Sequence, residues 1–191
     1  MHPRFAAVAC AAFGVFACSA NVLRLAPRET PPVRIDYYPV RGASVAEIRR
    51  DLLRNGPKDR TGKPRAARTD WSLAWRYAVR PEPDACVVTQ VEASVAITTT
   101  LPDLSTPVPQ PVRSQWTALA SQLAEHEDGH RQIALACRDE LWRRLAAVRP
   151  ASDCAELHRT LDLTGRAAVA ECRARDDGFD RETNHGVESG M

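Results

Sequence analysis

SQWTALASQLAEHEDGHRQIALACRDELWRRLAAV, residues 114–148, is the stretch whose reading decides the fold. Trp116, Leu119, Leu123, His126, His130, Ile133, Cys137 and Leu141 recur in it at helical spacing. Arg149-Pro150 ends the run, because proline cannot continue a helix. Inside this long helix lies His126-Glu127-Asp128-Gly129-His130, an H-E-x-x-H pattern. Residues four apart lie one turn apart on the same helix face. Two imidazoles so placed can share one Zn²⁺ ion at about 2.1 Å each. Glu127 follows the first of them, where its carboxylate can take a proton from a water that zinc acidifies to a pKa of about 7. His126 and His130 are therefore the expected metal ligands and Glu127 the expected general base.

The chain holds five His and eleven Glu. At those frequencies the pattern arises by accident in roughly one chain of 100, so context has to support it. Here the match sits mid-helix on the apolar stripe, where two imidazoles are costly to bury unless something satisfies them. Gly129 costs a helix up to about 1 kcal/mol relative to alanine. Either the position merely tolerates it, or the missing side chain lets another segment approach.

A catalytic zinc site needs a third protein ligand and one open position. Ile133 and Ala136 stand where the metzincin extension has Gly and His, so that subclass is excluded. Glu156 and Glu171 on a following helix are candidates. His158 reads as a surface histidine at the start of that helix. His185, in Asp180-Arg181-Glu182-Thr183-Asn184-His185-Gly186, has polar company and a glycine suited to a tight turn. A fourth protein ligand, such as Asp180 or Glu182, would mark a structural site instead.

Upstream of the helix the chain reads as β structure with one short helix. Val33–Val40 is an expected strand. Ser44 and Glu47 form a capping box ahead of Val45, Ile48 and Leu52, and Asn55-Gly56-Pro57 stops that helix. Trp71, Leu73, Trp75, Tyr77 and Val79 alternate with polar or small residues. After the turn Pro81-Glu82-Pro83-Asp84, a strand from about Cys86 to Leu101 follows, giving an antiparallel hairpin. Residues 102–113, with four prolines, read as a linker. Ser152 or Asp153 caps a second helix that fades near Asp176-Asp177-Gly178, leaving residues 179–191 irregular. The expected fold is α+β: a small antiparallel sheet packed on the motif-bearing helix and a second C-terminal helix, of minimal zincin-like type.

At 191 residues the chain suits one domain. With 26 basic and 24 acidic residues, its net charge of +2 gives no reason to expect nucleic acid as a partner. Residues 1–20 resemble a signal peptide: Arg4, then the apolar run Phe5–Phe16, too short to span a bilayer, then small residues. Val15-Phe16-Ala17-Cys18 resembles a lipobox, so Cys18 is a possible lipid anchor, and cleavage after Ala20 is the alternative. Residues 21–32 read as a tether and 33–191 as the domain. An exported location is expected, periplasmic, outer-membrane-anchored or extracellular. It suits two disulfides among Cys86, Cys137, Cys154 and Cys172.

The chain resembles a bacterial family catalogued as domain of unknown function 922 and described as predicted secreted zinc-dependent proteases. The resemblance rests on Tyr37-Tyr38-Pro39-Val40, Thr69-Asp70-Trp71 with Trp75, Cys86, Leu101-Pro102, Trp116, the 126–130 motif, Cys154 and the tail Phe179-Asp180 to His185-Gly186. It implies that His185 is the third ligand. Where the family pattern has Tyr, this chain has Phe179, and so lacks a hydroxyl suited to an oxyanion. The same layout suggests the pairs Cys86–Cys154 and Cys137–Cys172. The expected activity is zinc-dependent hydrolysis of a peptide or protein substrate. A non-catalytic, metal-stabilised envelope module is the alternative.

Overall fold

Arg24–Leu25 and residues 33–184 are described by the structure, a computed structural model. The expected signal peptide, residues 1–20, and His185 lie outside the described residues. The elements run β1 (Arg24–Leu25), β2 (Val33–Val40), α1 (Val45–Asn55), β3 (Arg68–Glu82), β4 (Ala85–Leu104), α2 (Gln110–Ala146) and α3 (Cys154–Glu182). This is the α+β arrangement expected, built on two long helices.

Strand β4 organises the sheet. The expected hairpin forms, with β3 antiparallel to β4 from Arg68↔Thr100 to Glu82↔Ala85 and a register shift at Ala78/Val79. Strand β2 takes the opposite edge of β4 and runs parallel to it, from Val33↔Ile97 to Val40↔Leu104. The sheet is therefore mixed, which corrects the antiparallel expectation. Its cause is the long return through α1 and the 57–67 loop, which brings the chain into β3 on the far side of β4. Within the stretch expected to be a tether, Arg24–Leu25 pairs in parallel with Gln90–Val91. The linker is also shorter than expected: β4 continues through Leu104, and α2 begins at Gln110 with a proline in its first turn, where a missing N–H costs nothing.

Helix α2 lies on the sheet through Leu119, Leu123, His126, Glu127, His130, Ala134, Cys137, Leu141 and Leu145, all buried. Three apolar clusters line this stripe. Leu119 and Leu123 meet Val40, Ile48, Leu52 and Ala67. Ala134 meets Val95 and Ile97. Leu141 and Leu145 meet Val91, Leu157 and Leu161. The histidines fall between the first cluster and the second.

Helix α3 starts at Asp153, whose side chain caps Glu156 N at 2.8 Å. It buries Leu157, Leu161, Gly165, Ala168 and Cys172. Trp75 packs so closely on Gly165 that a Cβ there would stand 2.6 Å from its ring. The disulfides Cys86–Cys154 and Cys137–Cys172 form, the pairs that the family layout suggests. One ties the start of β4 to the start of α3, the other ties α3 to α2, and both suit an oxidising compartment. Among the described residues, no helix is long and apolar enough to cross a membrane.

The helix does not fade at Asp176-Asp177-Gly178. It runs to Glu182, and Asn184 comes next but one in the left-handed region at φ 47°, a common way for a helix to end. Gly178 breaks nothing. The stripe of Leu157, Leu161, Ala168 and Cys172 continues into Asp176, Phe179, Asp180 and Thr183, and these side chains meet the histidines of α2. That contact holds the last turns helical.

Candidate metal centre

Helix α2 supplies two imidazoles, buried because they share its core-facing stripe. Their Nε2 atoms are 3.1 Å apart. Asp180, from the last turn of α3, brings Oδ1 to 3.2 Å from His126 Nε2 and 3.1 Å from His130 Nε2. Three donor atoms thus form a nearly equilateral triangle.

The outer ring nitrogens are also engaged. His130 Nδ1 lies 2.7 Å from Asp176 Oδ1. His126 Nδ1 lies 3.2 Å from Thr183 Oγ1. The Thr183 hydroxyl donates to Phe179 O at 2.7 Å, so it accepts from His126. Each Nδ1 therefore carries a proton, and each Nε2 turns a lone pair inward, with a carboxylate oxygen as the third member. Three electron-rich atoms at such separations repel one another unless a cation or a proton lies among them. In the metal-free protein the proton does so. Burial works to lower the His130 pKa, but the Asp176 and Asp180 carboxylates push it up to about 10.

Donor separations of 3.1–3.2 Å match the roughly 3.3 Å edge of a tetrahedral site with bonds of about 2.0 Å. A second observation suits a metal. Glu127 is 4% exposed, and its Oε2 has no hydrogen-bond partner among the described residues. Burial pushes its carboxyl pKa up, against the Thr69 hydroxyl and the two imidazoles, which pull it down. The Thr69 hydroxyl also reaches the Glu127 main-chain oxygen at 3.3 Å and the Thr99 hydroxyl at 3.0 Å, joining the motif to the hairpin. A buried carboxylate oxygen without a donor is expensive. It is the group expected beside an ion and its water.

Gly129 has a packing role. Phe179 stacks on His126 (5.0 Å, 13°) and meets His130 edge-on (5.0 Å, 88°). A Cβ on Gly129 would stand 2.4 Å from the Phe179 ring tip. The missing side chain thus lets α3 approach and wedge both imidazoles in place.

His126, Glu127 and His130 converge as expected, while His185 is outside the described residues. Other candidates are elsewhere. Glu171 pairs with Arg144 at 2.6 Å, Glu156 takes a bond from Ser152 at the start of α3, and His158 lies 3.3 Å from the Tyr77 hydroxyl. Glu182 is exposed. Sequence reading missed Asp176 and Thr183 and kept Asp180 only as a possible fourth ligand. One signal was available: Asp176 and Asp180 are four apart, on the continuation of an apolar stripe.

The centre opens into a cleft of about 400 Å³ between the 57–67 loop, the start of β3 and the end of α3. No curated protein and no solved structure matches this chain. The family model described as bacterial protein of unknown function, DUF922, matches residues 35–186, and with that span covered the chain belongs to this family.

Proposed function

We propose that the protein is an exported, zinc-dependent peptidase. The observation that carries this reading is the triangle of His126 Nε2, His130 Nε2 and Asp180 Oδ1, with the Oε2 of Glu127, which has no partner among the described residues, beside it. Two imidazoles and one carboxylate suit Zn²⁺ and leave a position for water or substrate. When bound, the ion would supply Lewis acidity and acidify a water.

The chain's own residues do the rest. His126 and His130 bind through Nε2 because Thr183 and Asp176 hold their Nδ1 protons. Phe179 and the apolar clusters on either side keep bulk water from the rings. Glu127 Oε2 accepts a proton from the attacking water and passes it to the leaving amine. A carboxyl whose pKa is raised by burial suits both halves of that transfer.

Elemental analysis of the mature protein, paired with Glu127→Gln, tests the proposal. Zinc at one ion per chain is expected in both forms. Hydrolysis of a broad peptide library should fall by about a hundredfold or more in the variant. A wild-type protein that holds zinc yet cleaves nothing in the library would refute it. A second reading, a closed structural site, draws on the same Asp180 if His185 adds a fourth ligand. His185→Ala would then release zinc and lower the melting temperature, whereas an open catalytic site built on the other three donors keeps its metal.

A further inference from the structure

The cleft beside Glu127 is a built concavity. Its rim is fixed by Asp59, whose Oδ1 accepts from Thr61 N (2.8 Å), Thr61 Oγ1 (2.6 Å) and Lys63 N (3.0 Å). Arg60 reaches over the cleft to Asp177 of α3 at 2.5 Å. Among the described residues, five Lys and Arg side chains line this space, and three of them are neutralised: Arg60 by Asp177, Arg65 by Asp59 and Arg68 by Asp70. The other two, Lys63 and Arg173, make no ion pair among the described residues.

Arg173 is positioned all the same. Its guanidinium carbon lies 5.5 Å from the ring centroid of Trp71, on the cleft wall. Stacking on an indole occupies the face of a guanidinium and leaves its N–H edge for another group. The carboxylates one turn further along α3 are already committed, Asp176 to His130 and Asp177 to Arg60. An N–H fork held at a cleft wall without an anion is the arrangement that takes a carboxylate in two parallel hydrogen bonds.

We infer that Arg173, with Lys63 on the opposite rim, binds a substrate carboxylate, so that the cleft selects acidic peptides. Arg173 precedes Asp180 by seven residues, or about 10 Å of helix. An extended peptide covers that in about three residues. The selected group is thus an Asp or Glu side chain, or a chain terminus, about three residues from the bond at the metal centre. Cleavage of the bound peptide rests on the peptidase reading; the binding itself does not.

The test uses zinc-loaded Glu127→Gln protein and acetylated, amidated decapeptides in which a single Glu, Gln or Lys is moved along a neutral sequence. Calorimetric titration should show the best Glu peptide binding roughly tenfold or more tighter than its Gln counterpart. Adding Arg173→Gln should remove that gap, and Arg173→Glu should turn the preference towards Lys. Both changes are on an exposed position, and Lys63→Gln gives an independent, smaller loss. Peptides with a free C-terminus form a second arm. If they alone bind tightly, the carboxylate is the terminal one. Equal binding of Glu and Gln peptides, or a gap that survives Arg173→Gln, overturns the inference. The two readings fail separately. Arg173-dependent binding without hydrolysis by the wild type keeps this inference and removes the peptidase. Hydrolysis indifferent to charge does the reverse.

Discussion

Helices α2 and α3 are joined along their length, and the two ends of that contact have opposite chemistry. At one end Leu141, Leu145, Leu157 and Leu161 are all 0% exposed, and the Cys86–Cys154 bridge lies beside them. Each such side chain stabilises the fold by about 1.5–3 kcal/mol on burial. At the other end the same helices bring together His126, Glu127, His130, Asp176 and Asp180. Burying ionisable groups costs several kcal/mol unless each finds a partner. The burial at the leucine end, clamped also by Cys137–Cys172, carries no such condition. The largest effect should come from that scaffold. Leu141→Ala should lower unfolding free energy by about 3–5 kcal/mol in urea, while the zinc affinity of the folded protein stays unchanged. A parallel loss of affinity would show that the two ends are not separable.

Titration sharpens the contrast through His130 of the polar end. In the metal-free protein His130 has its pKa raised from 6.5 to about 10. Its folded value exceeds the unfolded one, so its contribution to stability is fully present below about pH 6.5 and fades as pH rises towards 10. A zinc ion held by the proposed centre would have to displace that proton. Its affinity should therefore fall as pH falls, by about tenfold per pH unit below 10. Melting temperatures of the two forms should diverge from pH 7 to 9, the metal-free form losing stability and the zinc form holding it. Parallel curves would mean that zinc and the proton do not compete.

The two ends also differ in how plainly the sequence announces them. Helix α1 is legible because its signals are local: Ser44 Oγ accepts from Glu47 N at 3.4 Å, and the Glu47 carboxylate accepts from Ala43 N at 2.7 Å. The β3–β4 hairpin is legible from alternation and a tight turn, and the cysteine pairs from their places on neighbouring elements. Parallel pairing of β2 with β4 is not, since nothing in Val33–Val40 records which edge, 60 or so residues on, will take it. The last turns of α3 misled for a related reason. Consecutive acids followed by Gly178 have weak helix propensity. What keeps them helical is contact with imidazoles some fifty residues away. The candidate ligand Asp180 is hard to read from sequence for the same reason, because a carboxylate in an irregular tail has no defined face.

Asp176 tests whether the polar end is tuned beyond its donors. Asp176→Asn keeps the shape and an acceptor oxygen but removes the charge beside His130 Nδ1. Zinc affinity should drop by about 10- to 100-fold, as for other partners of metal-bound histidines. Glu171→Gln on the same helix should leave affinity unchanged, since Glu171 faces Arg144 instead. Equal losses would make the effect one of net charge rather than of position.

The smallest effect has the most informative sign. An alanine inside a helix is normally better than a glycine by about 1 kcal/mol. At Gly129 the added methyl would meet Phe179 at 2.4 Å, and overpacking of that kind costs about 1–3 kcal/mol. Gly129→Ala should therefore destabilise the metal-free protein by about 1 kcal/mol net, measured by chemical unfolding. In a Phe179→Leu background the obstruction is gone, and the same substitution should stabilise by roughly that amount. A double-mutant cycle reads the reversal directly. If Gly129→Ala stabilises both backgrounds, the ring does not rest on the helix, and the glycine in the motif is a tolerated residue rather than the gap through which α3 reaches the histidines.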